Sequence, residues 1–161
     1  MQRYQNKEYD EAISFVEKAR IWPENLGVGK PNNPDQRIED FLEAEYLMKT
    51  GNGDRARELY NDIISFTQNR NRFSSTDLLY LLVLKRLSRN REINDFLTNW
   101  ENQSTNKDIL KWVEQTLNSN GYVKHSTGGN LQNQSGGTPW DSNYIDFEFE
   151  LVKEILKYIR I

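Results

Sequence analysis

The feature of this chain that most constrains its fold is a stripe of small and apolar residues that occurs twice. The stripe comprises Ala12, Val16 and Ala19 in one segment and Ala56, Tyr60 and Ile63 in another. Residues at i, i+4 and i+7 share one face of an α-helix, and alanine on that face lets a neighbouring helix approach closely. The pattern therefore predicts an all-α chain built from packed helix pairs.

A further stripe upstream of the second segment completes the first predicted pair. It is formed by Phe41, Ala44, Leu47 and Met48, and it ends at the sequence `TGNGD`. Two glycines and an asparagine directly after an apolar period are a strong signal for a helix end and a turn. The sequence therefore predicts an antiparallel helix pair over residues 36–49 and 54–67.

The middle of the chain predicts three more helices. Ser74 and Asp77 match a capping box, and the following `LLYLLVLKRL` is apolar nearly all round, which predicts a central helix. Its partner helix has an apolar stripe of Ile93, Phe96, Leu97 and Trp100. A second capping box, Thr105 with Asp108, opens an extra helix over 105–119. We expect Trp100 and Trp112 in the core, because both fall on apolar stripes.

The C-terminal third contains a loop-like segment and an ambiguous one. Residues 122–140 have two glycine pairs and no periodicity, so we expect a flexible loop. Residues 145–151 alternate as in a strand, although Phe149, Val152, Leu156 and Ile159 also fit a helix stripe. We predict a helix over 144–160, because no other segment offers a strand partner.

Composition and charge exclude several classes of function. A net charge of -3 and a pI near 5.3 argue against general affinity for nucleic acid or acidic lipid. The chain has no cysteine and one histidine, His125, which we expect to be exposed in the loop. These counts exclude thiolate and histidine-cluster metal sites, and we expect no metal, no cofactor and no catalytic residues. The many carboxylates leave a two-carboxylate hydrolase open as an alternative. No apolar run approaches a membrane span, and the N-terminus has no hydrophobic signal core, so we expect a cytoplasmic chain without membrane association.

The charged clusters are interpreted as solvated surface. The acidic cluster is formed by Glu39, Asp40, Glu43 and Glu45, which we place on the polar side of their helix. The basic residues are Arg70, Arg72, Lys85, Arg86, Arg89 and Arg91. Cations at helix C-termini interact favourably with the helix dipole, so these residues need no RNA ligand to explain their positions. An RNA-binding repeat would need them in one continuous basic stripe. The G-x-G-K in `PENLGVGK` lacks phosphate-loop spacing and predicts a turn.

The helix pairs resemble tetratricopeptide repeats (TPRs). The second helix of each repeat has alanine, a large residue four positions on and alanine three further, which `YDEAISFVEKARIWP` matches fully and `GDRARELYNDI` matches with Ile63 last. The resemblance covers about residues 1–102 and implies an α-α superhelix with divergent C-terminal helices. Ala12 and Ala56 are 44 positions apart, about ten more than the family period. An insertion, `PENLGVGKPNNPD`, accounts for the difference.

The resemblance also bears on the extent of the protein. The first repeat lacks its first helix, so we expect the chain, a single domain over 1–161, to be a fragment of a larger protein. The segment `ARIWPENLGVGK` followed by `GNGDRARELY` is similar to the TPR region of bacterial DUF5107-containing proteins. That similarity implies a link to carbohydrate metabolism, with any catalytic part outside this chain.

An interaction surface follows from the repeat alignment. The alignment implies that Phe41, Glu45, Lys49 and Lys85 face the concave side of the superhelix, where a protein partner or neighbouring domain would bind. Their mixed charges do not form the family's clamp for C-terminal carboxylates. Trp22 and Trp140 each adjoin proline and a loop, and they either cap the core or form exposed binding platforms. The resulting hypotheses are a non-catalytic scaffold, a carbohydrate-associated accessory domain and an RNA-binding repeat.

Overall fold

The computed structural model describes residues 9–21, 32–103, 107–119 and 139–158, and every regular element in these ranges is an α-helix. The predicted all-α class is therefore confirmed. The helices are α1 (Tyr9–Ala19), α2 (Arg37–Thr50), α3 (Gly53–Gln68), α4 (Asp77–Arg86), α5 (Asn90–Gln103), α6 (Lys107–Asn118) and α7 (Pro139–Tyr158). Contacts divide the chain into two compact units, Met1–Asn71 and Arg72–Ile161.

In the first unit, α2 and α3 form the predicted helix pair, with bounds within one residue of those expected from the sequence. Ala44 and Ala56 are completely buried, as predicted for positions where two helices approach closely. Phe41 and Leu47 of the α2 stripe are also buried, but Met48 is 45% exposed. Met48 follows Leu47 by one position, about 100° further round the helix, and so lies beyond the buried face.

The turn between α2 and α3 depends on a residue in the left-handed region. Gly51 ends α2 with φ at 86°, and its N–H donates to the carbonyl of Leu47. The N–H of Asn52 donates to the same carbonyl at 2.9 Å. These two bonds satisfy a carbonyl that the end of the helix would otherwise leave without a donor, as in a Schellman-type ending. The turn predicted from `TGNGD` is thus a helix ending with Gly51 in the left-handed conformation.

Helix α1 packs against α2 through a small apolar cluster. Val16 and Tyr46 are its buried members, and Ile13 and Leu42 are half-buried against them. Ala19 is exposed, so the predicted α1 stripe is only partly buried; the side chain of Ala12 lies outside the described residues. Packing from both α1 and α3 leaves α2 little free surface.

In the second unit, α4 is buried along its length from Asp77 to Leu84, as its apolar sequence predicts. The helix begins at Asp77, three residues later than Ser74. Asp77 Oδ2 nevertheless accepts a 2.8 Å hydrogen bond from the N–H of Ser74, which is the reciprocal half of the predicted capping box. Thr105, in the second predicted capping box, lies outside the described residues.

The turn after α4 repeats the geometry of the first turn without glycine. Ser88 has φ at 58°, the only non-glycine residue with positive φ in the described ranges. Its N–H donates to Lys85 and the N–H of Arg89 donates to Leu84, at 3.1 and 2.9 Å. This pair of bonds is the Schellman pattern, in which glycine is the usual residue at the left-handed position.

Aromatic packing joins the helices of the second unit. Trp100 is buried and stacks on Phe73 at 5.2 Å between ring centroids, while Phe96 contacts both rings edge-on. Trp112 of α6 is half-buried and makes a T-shaped contact with Phe149 of α7 at 4.7 Å. The predicted core position is confirmed for Trp100, whereas Trp112 is only partly covered.

The last helix is longer than the sequence predicts. Helix α7 begins at Pro139, so residues 139 and 140 are helical and not part of the expected loop. Proline is well suited to the first helical position, because its missing N–H has no intrahelical acceptor there. The choice of helix over strand for 144–150 is confirmed, with Val152, Ile155 and Leu156 buried. The rest of the expected loop, including His125, lies outside the described residues.

Candidate functional site

Two residues predicted to face a partner are inaccessible. Phe41 is completely buried and Glu45 is 1% exposed, so their assignment to an interaction surface is wrong. The physical reason is that α1 and α3 both pack against α2 and together cover these positions. Glu45 accepts a 2.9 Å hydrogen bond from the phenol of Tyr60 on α3, which gives it a structural role inside the first unit.

The other four predicted surface residues have different environments. Lys49 is exposed in the last turn of α2 and stays a candidate contact residue. Lys85 is half-buried, and its Nζ donates to the carbonyl of Leu117 at 2.6 Å, which caps the end of α6. Trp140 lies in α7, but its side chain is outside the described part, as is the whole of Trp22.

The first unit contains an open cleft of about 520 Å³, a volume typical of small-ligand and side-chain binding sites. Its walls are formed by the end of α1, the segment before α2, and the facing sides of α2 and α3. The lining residues are Arg20, Asn33, Pro34, Gln36, Arg37, Asp40, Arg55, Leu59, Asp62, Ser65, Phe66 and Asn69. Most of these are polar or charged, so the cleft suits a polar ligand.

Arg20 connects the end of α1 to two carboxylates of α2. One of its nitrogens donates to Asp40 Oδ1 at 2.8 Å and the other donates to Glu43 Oε2. Burial opposes the charge of Arg20, but the hydrogen bonds with Glu43 and Asp40 outweigh it and raise the pKa of the guanidinium. The guanidinium therefore remains charged and shared between two acids.

Asp40 is the carboxylate of this bridge that lines the cleft, and its charge is in an unfavourable position. Burial raises the pKa of Asp40, and the negative charges of Asp62 and Glu39 raise it further, whereas Arg20 acts in the opposite direction. The burial of Asp40 therefore outweighs the stabilisation of its charged form by Arg20.

A second guanidinium cluster forms another wall. Arg37 is buried and makes two hydrogen bonds to the carboxylate of Asp35, at 2.9 and 2.7 Å. Arg70 reaches the same carboxylate at 3.4 Å. Both guanidinium carbons also lie over the ring of Phe66, at 5.3 and 5.7 Å from its centroid. These cations are therefore held within the unit by a carboxylate and an aromatic ring.

On α3, the cleft is lined by an arginine that forms an ion pair and by a carboxylate that forms none in the described part of the chain. Arg55 is half-exposed and donates to Glu58 at 2.6 Å. This hydrogen bond to Glu58 raises the pKa of Arg55, with smaller contributions from Glu43 and Asp62. Asp62 is exposed in the cleft and has no hydrogen-bonded or ion-paired partner in the described ranges.

Sequence reasoning missed the principal residues of this cleft. Glu43 was expected on a solvated face, yet it is 7% exposed and bound to Arg20. Arg20 and Arg37 were not selected as site residues, because neither lies in a run of like charge. The only available signal was the occurrence of Asp40 and Glu43 at i, i+3, which places two carboxylates on one helix face.

Metal-binding and membrane-spanning features were also sought in the structure. Across the described ranges, no three histidine, aspartate or glutamate side chains are grouped as metal ligands would be. None of the described helices is both long and apolar enough to cross a bilayer. Of the basic residues, Lys85 and Arg86 lie in the last turn of α4, as predicted from the helix dipole, and Arg89 is bonded to Glu92.

Comparison with known proteins does not assign this chain to a family. No family model matches this chain, and no curated protein or solved structure matches it.

Proposed function

We propose that this chain is a non-catalytic, TPR-like helical scaffold and that the cleft of its first unit contacts a protein partner or a neighbouring domain. The observation that carries the proposal is the open cleft of about 520 Å³. Its lining offers charged groups on α2 and α3 and side-chain amides in the segments that flank these helices, which suits recognition of a polypeptide surface.

The proposal includes a stacked α-α superhelix for the repeat-like region. It is supported by the α2–α3 pair, in which the small residues Ala44 and Ala56 are completely buried as in repeats that pack closely. Helix α1 also packs against α2. Small-angle X-ray scattering would test it, since a superhelix gives a larger radius of gyration than a sphere of 161 residues.

Site-specific photo-crosslinking tests the interaction surface. A benzoylphenylalanine at Ser65, which lines the cleft, would be compared with one at Glu114, an exposed residue of α6. We expect one discrete crosslinked partner from the Ser65 position, identified by mass spectrometry and reproduced with the purified partner. Equal crosslinking from both positions, or none from Ser65, would contradict the proposal.

A carbohydrate-associated accessory domain is the second candidate. The cleft combines two carboxylates, Asp40 and Asp62, with an aromatic ring, Phe66, and this combination is common in sugar-binding sites. The ring of Phe66, however, is contacted by the guanidinium groups of Arg37 and Arg70, which favours a protein ligand. Amide shifts of Phe66 and Asn69 on titration with oligosaccharides would support the second candidate instead.

An RNA-binding repeat is the weakest of the three hypotheses. Among the cations on which it depends, Arg70 is bonded to Asp35, Arg89 to Glu92 and Lys85 to the carbonyl of Leu117. A phosphate would have to compete with these internal acceptors, which lowers the gain from each contact. A filter-binding titration with single-stranded RNA tests this hypothesis directly.

A further inference from the structure

Helix α2 is covered by a different helix on each of two faces. On one face, Glu45 accepts the hydrogen bond from the phenol of Tyr60 on α3. On the other face, Leu42 and Tyr46 pack with Val16 of α1 in the small apolar cluster. The two covering helices can therefore be compared for how firmly each is held against α2.

Helix α1 is held by much less buried surface than α3. In the described ranges, Val16 is the one side chain of α1 that is buried. Docking also leaves Phe15 of α1 54% exposed. The buried core residues of α3 are Ala56, Leu59, Tyr60, Ile63 and Ile64. A segment with few buried apolar contacts opens at a lower free energy than the rest of its unit, so we expect α1 to detach from α2 while the α2–α3 pair stays folded.

The contacts of α1 show what this face of α2 accepts. Its centre accepts the apolar side chains of Ile13 and Val16. Beyond the centre it accepts the guanidinium of Arg20, which donates to Asp40 Oδ1 at 2.8 Å and to Glu43 Oε2. The three α1 residues are spaced i, i+3 and i+7, and anchors at this spacing are typical of an amphipathic helix bound in a groove.

We infer that this face of α2 is a binding site for an amphipathic helix of a partner protein, and that α1 occupies the site until such a helix displaces it. The site, here called the α1 face, is formed by Asp40, Leu42, Glu43 and Tyr46. The partner helix carries two apolar residues three positions apart and an arginine four positions after the second, as α1 does. This inference goes beyond the contact proposed for the cleft, because it concerns a surface that α1 covers.

The two carboxylates of the α1 face make an arginine in the partner helix necessary. Glu43 is 7% exposed beneath α1, so a covering helix without a cation would leave this charge buried and unbalanced. A guanidinium donates to both carboxylates from one rigid plane, as Arg20 does, whereas an ammonium is a compact point charge with a larger hydration cost. A helix with the α1 pattern replaces each contact that α1 gives up, which keeps the cost of the exchange small.

Hydrogen exchange of the full chain tests whether α1 detaches alone. We expect the helical amides of α1 to exchange at least about tenfold faster than those of Leu59 and Ile63 in α3. Arg20→Gln should raise the α1 rate about fivefold, the effect of losing a partly exposed ion pair, and leave the α3 rates unchanged. Arg57→Gln removes an exposed ion pair with Asp54 on α3 and is the matched control, which should leave the α1 rate unchanged. Equal exchange in α1 and α3 of the parent would overturn the inference.

A labelled peptide with the sequence of α1, residues 9–21, is the probe for the partner helix. The α1 of the chain competes with it at a high effective concentration, because it is tethered. Binding is therefore measured by fluorescence anisotropy to the parent and to the full chain carrying Val16→Ala and Arg20→Gln. We expect the double variant to bind the peptide at least about tenfold more tightly than the parent. The same peptide with Arg20→Glu should bind the double variant at least about tenfold more weakly.

The remaining outcomes would each overturn the inference. If the amide spectrum of the double variant loses the α2–α3 signals, α1 is an integral part of the unit and not an exchangeable ligand. If both peptides bind with equal affinity, the carboxylates of the α1 face do not select an arginine. If neither peptide binds the double variant, the uncovered face accepts no helix. Crosslinking from Ser65 tests the cleft contact separately, so the two proposals fail independently.

Discussion

The phenolic oxygen of Tyr60 on α3 donates a 2.9 Å hydrogen bond to Oε1 of Glu45 on α2, and both residues are buried. A carboxylate in an apolar interior is tolerated only when donors satisfy its oxygens. This bond therefore helps to explain why an acid can be buried between α2 and α3, and it links the two helices.

Replacing Tyr60 by phenylalanine should destabilise the chain by about 1–3 kcal/mol, because the variant leaves Glu45 with one donor fewer in the interior. Urea denaturation would measure the change in the free energy of unfolding. A double-mutant cycle with Glu45→Gln is the control, since it isolates the coupling between the two side chains. A loss below about 0.3 kcal/mol would contradict the importance of this bond.

The sequence predicts the α2–α3 pair closely for identifiable reasons. Its apolar period is regular, Ala44 and Ala56 mark the close approach, and Gly51 marks the turn. All of these are local signals, each determined by a few neighbouring residues. The burial of α4 was predictable on the same ground, because seven consecutive apolar residues leave no polar face.

The sequence does not predict the cleft, because its residues are brought together by tertiary contacts. Arg20 and Glu43 are 23 positions apart, and Arg37 and Thr67 are 30 apart. Glutamate at a helix position is exposed by default, so the burial of Glu43 and Glu45 follows only when a donor on another helix is known. The onset of α7 at Pro139 was missed because glycine and serine upstream obscure the helix start.

Gly51→Ala should destabilise the chain by about 1–2 kcal/mol. Its φ of 86° lies in the left-handed region, where a Cβ is disfavoured, although no atom lies within 4 Å of the added carbon. The cost is thus backbone strain and not a clash. Thermal unfolding would measure it, with Gly53→Ala as the matched control.

Gly53 lies in the first turn of α3, and a Cβ there meets atoms only at 3.7 and 3.9 Å, which are ordinary contacts. Alanine should therefore be neutral or stabilising by up to about 1 kcal/mol at this position. Equal destabilisation by both substitutions would show that the left-handed turn is not the cause.

Ser88→Gly should stabilise the chain by about 0.5 kcal/mol, because glycine relieves the strain of φ at 58° and part of that gain is offset by a more flexible unfolded chain. The shift in the thermal midpoint would report it. Ser119→Gly, just after α6, is the control. Ser119 does not have a positive φ, and its hydroxyl donates a hydrogen bond to the carbonyl of Thr116. That variant should be neutral or destabilising, and a midpoint increase in both would refute the explanation.

Asp40 should make stability depend on pH in a direction opposite to that of most ion-paired carboxylates. Burial, with Asp62 and Glu39, raises its pKa above the ordinary 3.8 in spite of Arg20, so the folded state binds this proton more tightly than the unfolded state. The Asp40 contribution to stability is therefore most favourable below about pH 3.8, and it declines as the pH rises through the raised pKa.

The comparison with Asp40→Asn isolates this contribution, because asparagine does not titrate. Urea denaturation of both chains between pH 3 and pH 7 should show the variant gaining stability relative to the parent as the pH rises across that window. Asp95→Asn, on exposed α5, reports the effect of removing one surface carboxylate. If the parent instead gains relative to Asp40→Asn with rising pH, then the ion pair with Arg20 outweighs the burial of Asp40.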